Sequence, residues 1–113
     1  MSATIPAPEP ELSDEVVDLL DVEAFAKANP RKKPPRAKIY RIRIDKVRHD
    51  VKVPAMTGRE LLSLAGKTPP ERYSVSQKMH GGRSVPVGLD ETVSFAEPGV
   101  ERFMTLPLDQ TEG

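Results

Sequence analysis

The chain has 113 residues, no cysteine, two histidines, twelve prolines, 37% hydrophobic and 4% aromatic residues, and a formal net charge of zero. Without cysteine there is no thiol nucleophile, thioester carrier, disulfide framework or Cys-based zinc site, and His49 and His80 stand in no HxxxH or HExxH spacing. The start MSATIPAPEPEL lacks the basic-then-apolar order of a secretion signal, and no run of about 18 apolar residues follows, so one small, soluble, cytoplasmic domain is expected.

Neutrality conceals charge blocks. Residues 1–30 carry seven acids against Lys27, a net of −6; residues 31–59 carry eleven bases against Asp45 and Asp50, a net of +9; residues 60–113 carry five bases against eight acids, a net of −3. The chain brings its own counter-charge.

Residues 1–12, proline-spaced and acidic, cannot build a core and are expected to be extended or disordered. From Ser13, SDEVVDLLDVEAFAKAN has capping residues and acids at its start, Lys27 near its end and Asn29-Pro30 as a stop, which predicts a short helix with Val16, Leu19, Leu20 and Phe25 on one face. So short a helix is marginal alone and needs a surface to dock on. RKKPPR, residues 31–36, reads as a hydrated linker. Residues 1–37 together form an N-terminal arm and basic, Pro-rich linker, largely disordered alone.

The folded unit is expected at residues 38–108. In KIYRIRID, Tyr40, Ile42 and Ile44 alternate with Arg41 and Arg43, the period of a strand with one buried face. Residues 47–53 repeat it with Val51 and Val53 inside, joined through Asp45 and Lys46 as a hairpin. Thr57 with Glu60 three residues later makes a capping box; Leu61, Leu62, Leu64 and Ala65 supply the apolar stripe, and Gly66 then Pro69-Pro70 end the helix. Tyr73 to Lys78 reads as a strand, Gly81-Gly82 as a turn, Ser84 to Val87 as a short strand and LDETV as a capped turn. In ERFMTLPL, Met104, Leu106 and Leu108 are expected on the core face, and pairing is expected to fade near Leu106 because Pro107 has no N–H. Residues 109–113 form a polar tail. One helix laid across a mixed sheet, first and last strands paired in parallel, is an α+β fold of the β-grasp type.

YRIRID, TGRELLSLAGKTPPERYSV, LDETV and EPGVERFMTLP, in this order over residues 39–108, resemble the bacterial multiubiquitin-domain family of ubiquitin-like proteins, with one repeat present. The resemblance implies a ubiquitin-like β-grasp and a protein modifier in a bacterial ubiquitination-like pathway. An E1-like adenylating enzyme would activate the Gly113 carboxylate, an E2-like protein would help attach it to a target, and a deconjugating peptidase would reverse the bond. Asp109, Gln110, Thr111 and Glu112 would then be the tail read by the E1-like enzyme; their acidic character departs from the basic tail of ubiquitin and calls for a complementary basic groove. Ser74, Ser76, Phe103 and Thr105 are expected to face outward where ubiquitin carries its apolar patch, as a sheet-face partner contact. Val16, Leu19, Leu20 and Phe25 are the candidate assembly arm, docking in cis or on a neighbouring copy.

Four other readings compete. A non-conjugated β-grasp module that self-assembles through its arm is the main alternative. Nucleic-acid binding draws only on RKKPPRAK, Arg41 and Arg43 and lacks a stacking platform, so no nucleic-acid or membrane partner is expected. A sulfur carrier is disfavoured by the TEG end and the long arm. An enzyme is not expected, since no GxSxG elbow, metal spacing or phosphate loop is present, and no metal or cofactor is implied.

Overall fold

The computed structural model describes residues 16–108; expectations for residues 1–15 and 109–113 lie outside the described residues. In chain order the elements are β1 (Val16–Asp21), α1 (Val22–Ala28), β2 (Arg36–Ile44), β3 (Val47–Val51), β4 (Ala55–Thr57), α2 (Gly58–Leu64), a 3-10 turn (Pro70–Arg72), β5 (Tyr73–Met79), β6 (Ser84–Val87), β7 (Thr92–Ser94) and β8 (Val100–Pro107).

The alternation in β2 does what its period requires: Tyr40, Ile42 and Ile44 are buried and the arginines between them face away. β3 returns antiparallel, with Ile44 opposite Val47 and Tyr40 opposite Val51. Val51 is only partly buried, while Val47 and Val53 are exposed, so the second strand contributes less to the core than its valines suggest. β8 meets β2 in parallel at Ile44–Phe103 and runs antiparallel to β5, which pairs in turn with β6. α2 begins with the expected capping box: the Glu60 N–H donates to Thr57 Oγ1 (3.1 Å) and the Thr57 N–H to Glu60 Oε1 (2.8 Å). It ends in a Schellman arrangement at Gly66 (φ 75), where the Gly66 N–H donates to the Ser63 carbonyl and the Lys67 N–H to that of Leu62. Leu61 and Leu62 are fully buried against Tyr40, Ile42, Val75, Phe95 and Phe103. The result is a mixed sheet with a packed helix, a ubiquitin-like β-grasp, carrying a second short helix ahead of it.

Two further expectations change. The helix expected from Ser13 to Asn29 is a strand over Val16–Asp21 and a helix only over Val22–Ala28. β1 pairs in parallel with the N-terminal half of β2, from Val16–Arg36 to Asp21–Arg41. Tyr40 and Arg41 pair with both β1 and β3, and Ile44 pairs with both β3 and β8, so β1 and β8 share one edge of β2 in succession. That open half-edge, with β-branched Val16 and Val17 opposite it, outweighs helix propensity. The helix then takes its N-cap from Asp21, whose Oδ1 accepts from the Ala24 N–H (3.1 Å). Leu20, Val22 and Ala26 are buried, so the arm supplies part of the core rather than lying wholly outside it.

The second change is the facing of β8. Phe103 is fully buried, edge-on to Phe95 at 6.1 Å, while Leu106 is 67% exposed and Leu108 45%. The register shifts between Lys78–Arg102 and Met79–Val100, leaving Glu101 as an extra residue, so Val100 and Phe103 both point inward although three apart. Alternation from Phe103 places Met104 and Leu106 outside; the expected Met104–Leu106–Leu108 core face is inverted because the bulkier ring takes the interior position.

Candidate functional site

The outer face of the sheet is set by three directly opposed pairs, Ser74–Leu106, Ser76–Met104 and Lys78–Arg102. Ser74, Ser76, Arg102, Met104 and Leu106 of these pairs, with Arg43, Asp45, Lys46 and Thr105, line a groove of about 340 Å³. Its floor is apolar, from Met104 and Leu106, and its rim is basic, from Arg43, Lys46 and Arg102. Ser74 and Ser76 thus lie on the groove. Phe103 does not: it is core, and the reading of it as a partner contact is corrected by the inward register of β8. Thr105, opposite Val75, is half-buried and engaged.

Thr105 is engaged by Asp45, at the turn between β2 and β3. Asp45 takes φ 55, a conformation a short polar side chain tolerates, and its N–H donates to the Phe103 carbonyl (2.8 Å). Its carboxylate accepts from the Thr105 N–H (2.9 Å) and Oγ1–H (2.6 Å), and its carbonyl accepts from Arg43 Nε (3.0 Å). The hairpin tip is therefore fastened to the last strand, fixing one wall of the groove.

The other wall is held by a buried acid that the sequence reading left unremarked. Glu23 of α1 is 5% exposed and accepts from Arg43 Nη1 at 3.1 and 3.2 Å, with Lys27 Nζ at 3.2 Å. Burial pushes this carboxyl up, but the Lys27 hydrogen bond and the Arg43 charge and hydrogen bonds outweigh it, so the group lies below its ordinary value. Arg43, expected on the outward face of β2, lies there and is oriented from both sides. On the same face Arg41 pairs with Asp50 at 2.8 and 3.0 Å.

Of the candidate assembly arm, Leu20 is core, Phe25 packs partly buried against it, and Val16 and Leu19 remain 44% and 42% exposed on β1. Among the described residues, β1 has β2 as its one strand partner. Gly113 and the tail residues Asp109, Gln110, Thr111 and Glu112 lie outside the described residues. What is described is the point from which they continue: pairing runs past the expected limit to Tyr73–Pro107, and the Leu108 N–H donates to the Arg72 carbonyl (2.8 Å). Pro107 lacks a donor, but its neighbour supplies one.

Among the described residues no group of three or more His, Asp or Glu side chains is placed to hold a metal, and no helix is long and apolar enough to cross a membrane. A family model described as Multiubiquitin matches residues 40–107, the span from the first buried residue of β2 to the end of β8. No curated protein and no solved structure matches the chain.

Proposed function

The chain belongs to the multiubiquitin family, and on that premise we propose that it is a ubiquitin-like protein modifier of a bacterial ubiquitination-like pathway, joined to targets through Gly113. The observation that carries this reading is the anchoring of β8. The strand is fixed along its length by β5 and at Asp45, and its last hydrogen bond among the described residues, from Leu108 to Arg72, lies five residues before Gly113. Those five residues, DQTEG, contain no apolar side chain and span up to about 17 Å when extended, enough to enter a cleft while the domain stays outside.

The chemistry is that of an activated carboxylate. The Gly113 carboxylate, encoded as such or freed by cleavage of a longer product, attacks the α-phosphorus of ATP held by an E1-like enzyme and displaces pyrophosphate. The acyl adenylate is then consumed by a nucleophile, with AMP leaving, and an E2-like protein helps deliver the acyl group to an amine of the target. Gly113, lacking a side chain, lets the carbonyl carbon be approached closely. The domain contributes recognition and no catalytic group. Asp109 and Glu112 select an enzyme with a basic groove, and a deconjugating peptidase for this tail must accept Glu before the final Gly.

ATP–pyrophosphate exchange with the cognate E1-like protein tests the reading. Exchange with the full chain and none after deletion of Gly113 supports it; equal exchange by both contradicts it.

The second reading is a non-conjugated module that assembles through β1. The exposed Val16 and Leu19 on a strand paired along one side favour it. Removing residues 1–37 would strip Leu20, Val22 and Ala26 from the core, so the cleaner discriminator is Leu19→Asp, with mass followed by light scattering at high concentration.

A further inference from the structure

We propose that the acidic N-terminal segment, residues 1–15, docks in cis on the sheet-face groove and covers it. This inference holds or fails independently of conjugation at Gly113. It starts from an imbalance of charge. The groove rim carries Arg43, Lys46 and Arg102 around the apolar floor of Met104 and Leu106, the latter the most exposed large apolar side chain described. Arg43 is partnered by Glu23, but among the described residues Lys46 and Arg102 form no salt bridge. Among the described residues that line the groove the one carboxylate, Asp45, is occupied by Thr105. An occupant that fits must bring acids and a few apolar side chains along an extended backbone.

Residues 1–15, MSATIPAPEPELSDE, have that composition: Glu9, Glu11, Asp14 and Glu15 supply negative charge, and Ile5 and Leu12 supply apolar side chains. Pro6, Pro8 and Pro10 favour extended backbone and remove donors, which suits lying along a groove rather than adding a strand. The length is sufficient. Val16 pairs with Arg36, and Arg43 lies seven residues further along the same strand, a distance of about 23 Å. Fifteen extended residues reach about 50 Å, which leaves enough to reverse direction first. Tethering to β1 raises the local concentration of the segment into the millimolar range, so weak contacts suffice to populate the covered state, and this favours the same chain over a second copy. Any partner that reads this face must then displace the segment.

The chain has no cysteine, so Ala7→Cys gives one site for a nitroxide on the full-length protein and keeps Ile5 and Leu12 in place. With ¹⁵N-labelled protein carrying the label at low salt, the amide signals of Ser74, Ser76, Arg102 and Met104 are expected to lose most of their intensity. The intensity returns at about 1 M salt, where screening acts within about 3 Å, and in the Glu9→Gln/Glu11→Gln variant, which leaves every described residue unchanged. Two results overturn the proposal: broadening confined to the start of β1, or groove broadening equally strong when the label sits only on unlabelled chains mixed with ¹⁵N protein. The second would make another copy the occupant.

Discussion

Asp45 and Thr105, sixty positions apart in sequence, are joined by two hydrogen bonds of 2.9 and 2.6 Å that fasten the β2–β3 turn to the last strand. Thr105→Val keeps the shape and removes the hydroxyl donor, leaving a partly buried carboxylate oxygen short of a partner. It is expected to lower unfolding free energy by about 1–3 kcal/mol. Asp45→Ala removes both bonds and places alanine at φ 55, so it is expected to cost more than Thr105→Val. Urea titrations of the two variants check the order.

The facing of β8 gives a second prediction. Phe103→Ala empties a core site opposite Ile44 and edge-on to Phe95 and is expected to cost about 3–5 kcal/mol. Leu106→Ser, at an exposed position, is expected to stay within about 0.5 kcal/mol. Thermal unfolding of the pair separates this arrangement from one with Leu106 inside.

Glu23 gives a dependence on pH. Its folded carboxyl lies below the ordinary value of 4.5 because Lys27 and Arg43 favour the charged form more than burial opposes it. A depressed folded value means that the contribution is fully present above the unfolded pKa and is lost as pH falls through the folded one. Wild-type stability therefore declines below about pH 4.5 more steeply than that of Glu23→Gln. Denaturation midpoints measured between neutral and acid pH should converge at the acid end. Parallel curves would remove Glu23 from the account.

Gly58 opens α2 under the loop that follows β6. A Cβ there would overlap the Gly88 carbonyl and press on Val75 Cγ1 at 3.3 Å, while the Gly58 N–H donates to the Glu91 carbonyl (3.1 Å). Gly58→Ala is expected to destabilise by at least about 1 kcal/mol, against the usual preference for alanine within helices. Chemical denaturation reads it directly.

How far the sequence leads can be traced through these residues. Tyr40, Ile42, Ile44, the Thr57–Glu60 box and the Gly66 stop were legible because each is fixed by neighbours a few positions away. β1 was not, because VVDLLD becomes a strand only when half of one β2 edge is left open by a β8 that reaches β2 only at Ile44. Nor was the facing of β8, where the extra residue Glu101 shifts the count by one and carries Phe103 inward. For the groove, Ser74 and Ser76 followed from alternation, while Met104 and Leu106 fell on the wrong side with the same one-residue slip. Asp45 in a weak DK turn offered a signal, since a short acid favours left-handed backbone, but its partner Thr105 is set by topology alone.

The central claim is tested most directly by what Gly113 is bonded to in the native host. Trypsin cuts last at Arg102, so a conjugated chain leaves residues 103–113 as an isopeptide-linked remnant on target lysines. The account predicts that mass spectrometry of the recovered protein finds target peptides carrying this remnant, and that they vanish when Gly113 is deleted. Recovery of residues 103–113 solely as a peptide with a free carboxyl end, under conditions where the E1-like protein is present and active, would contradict it.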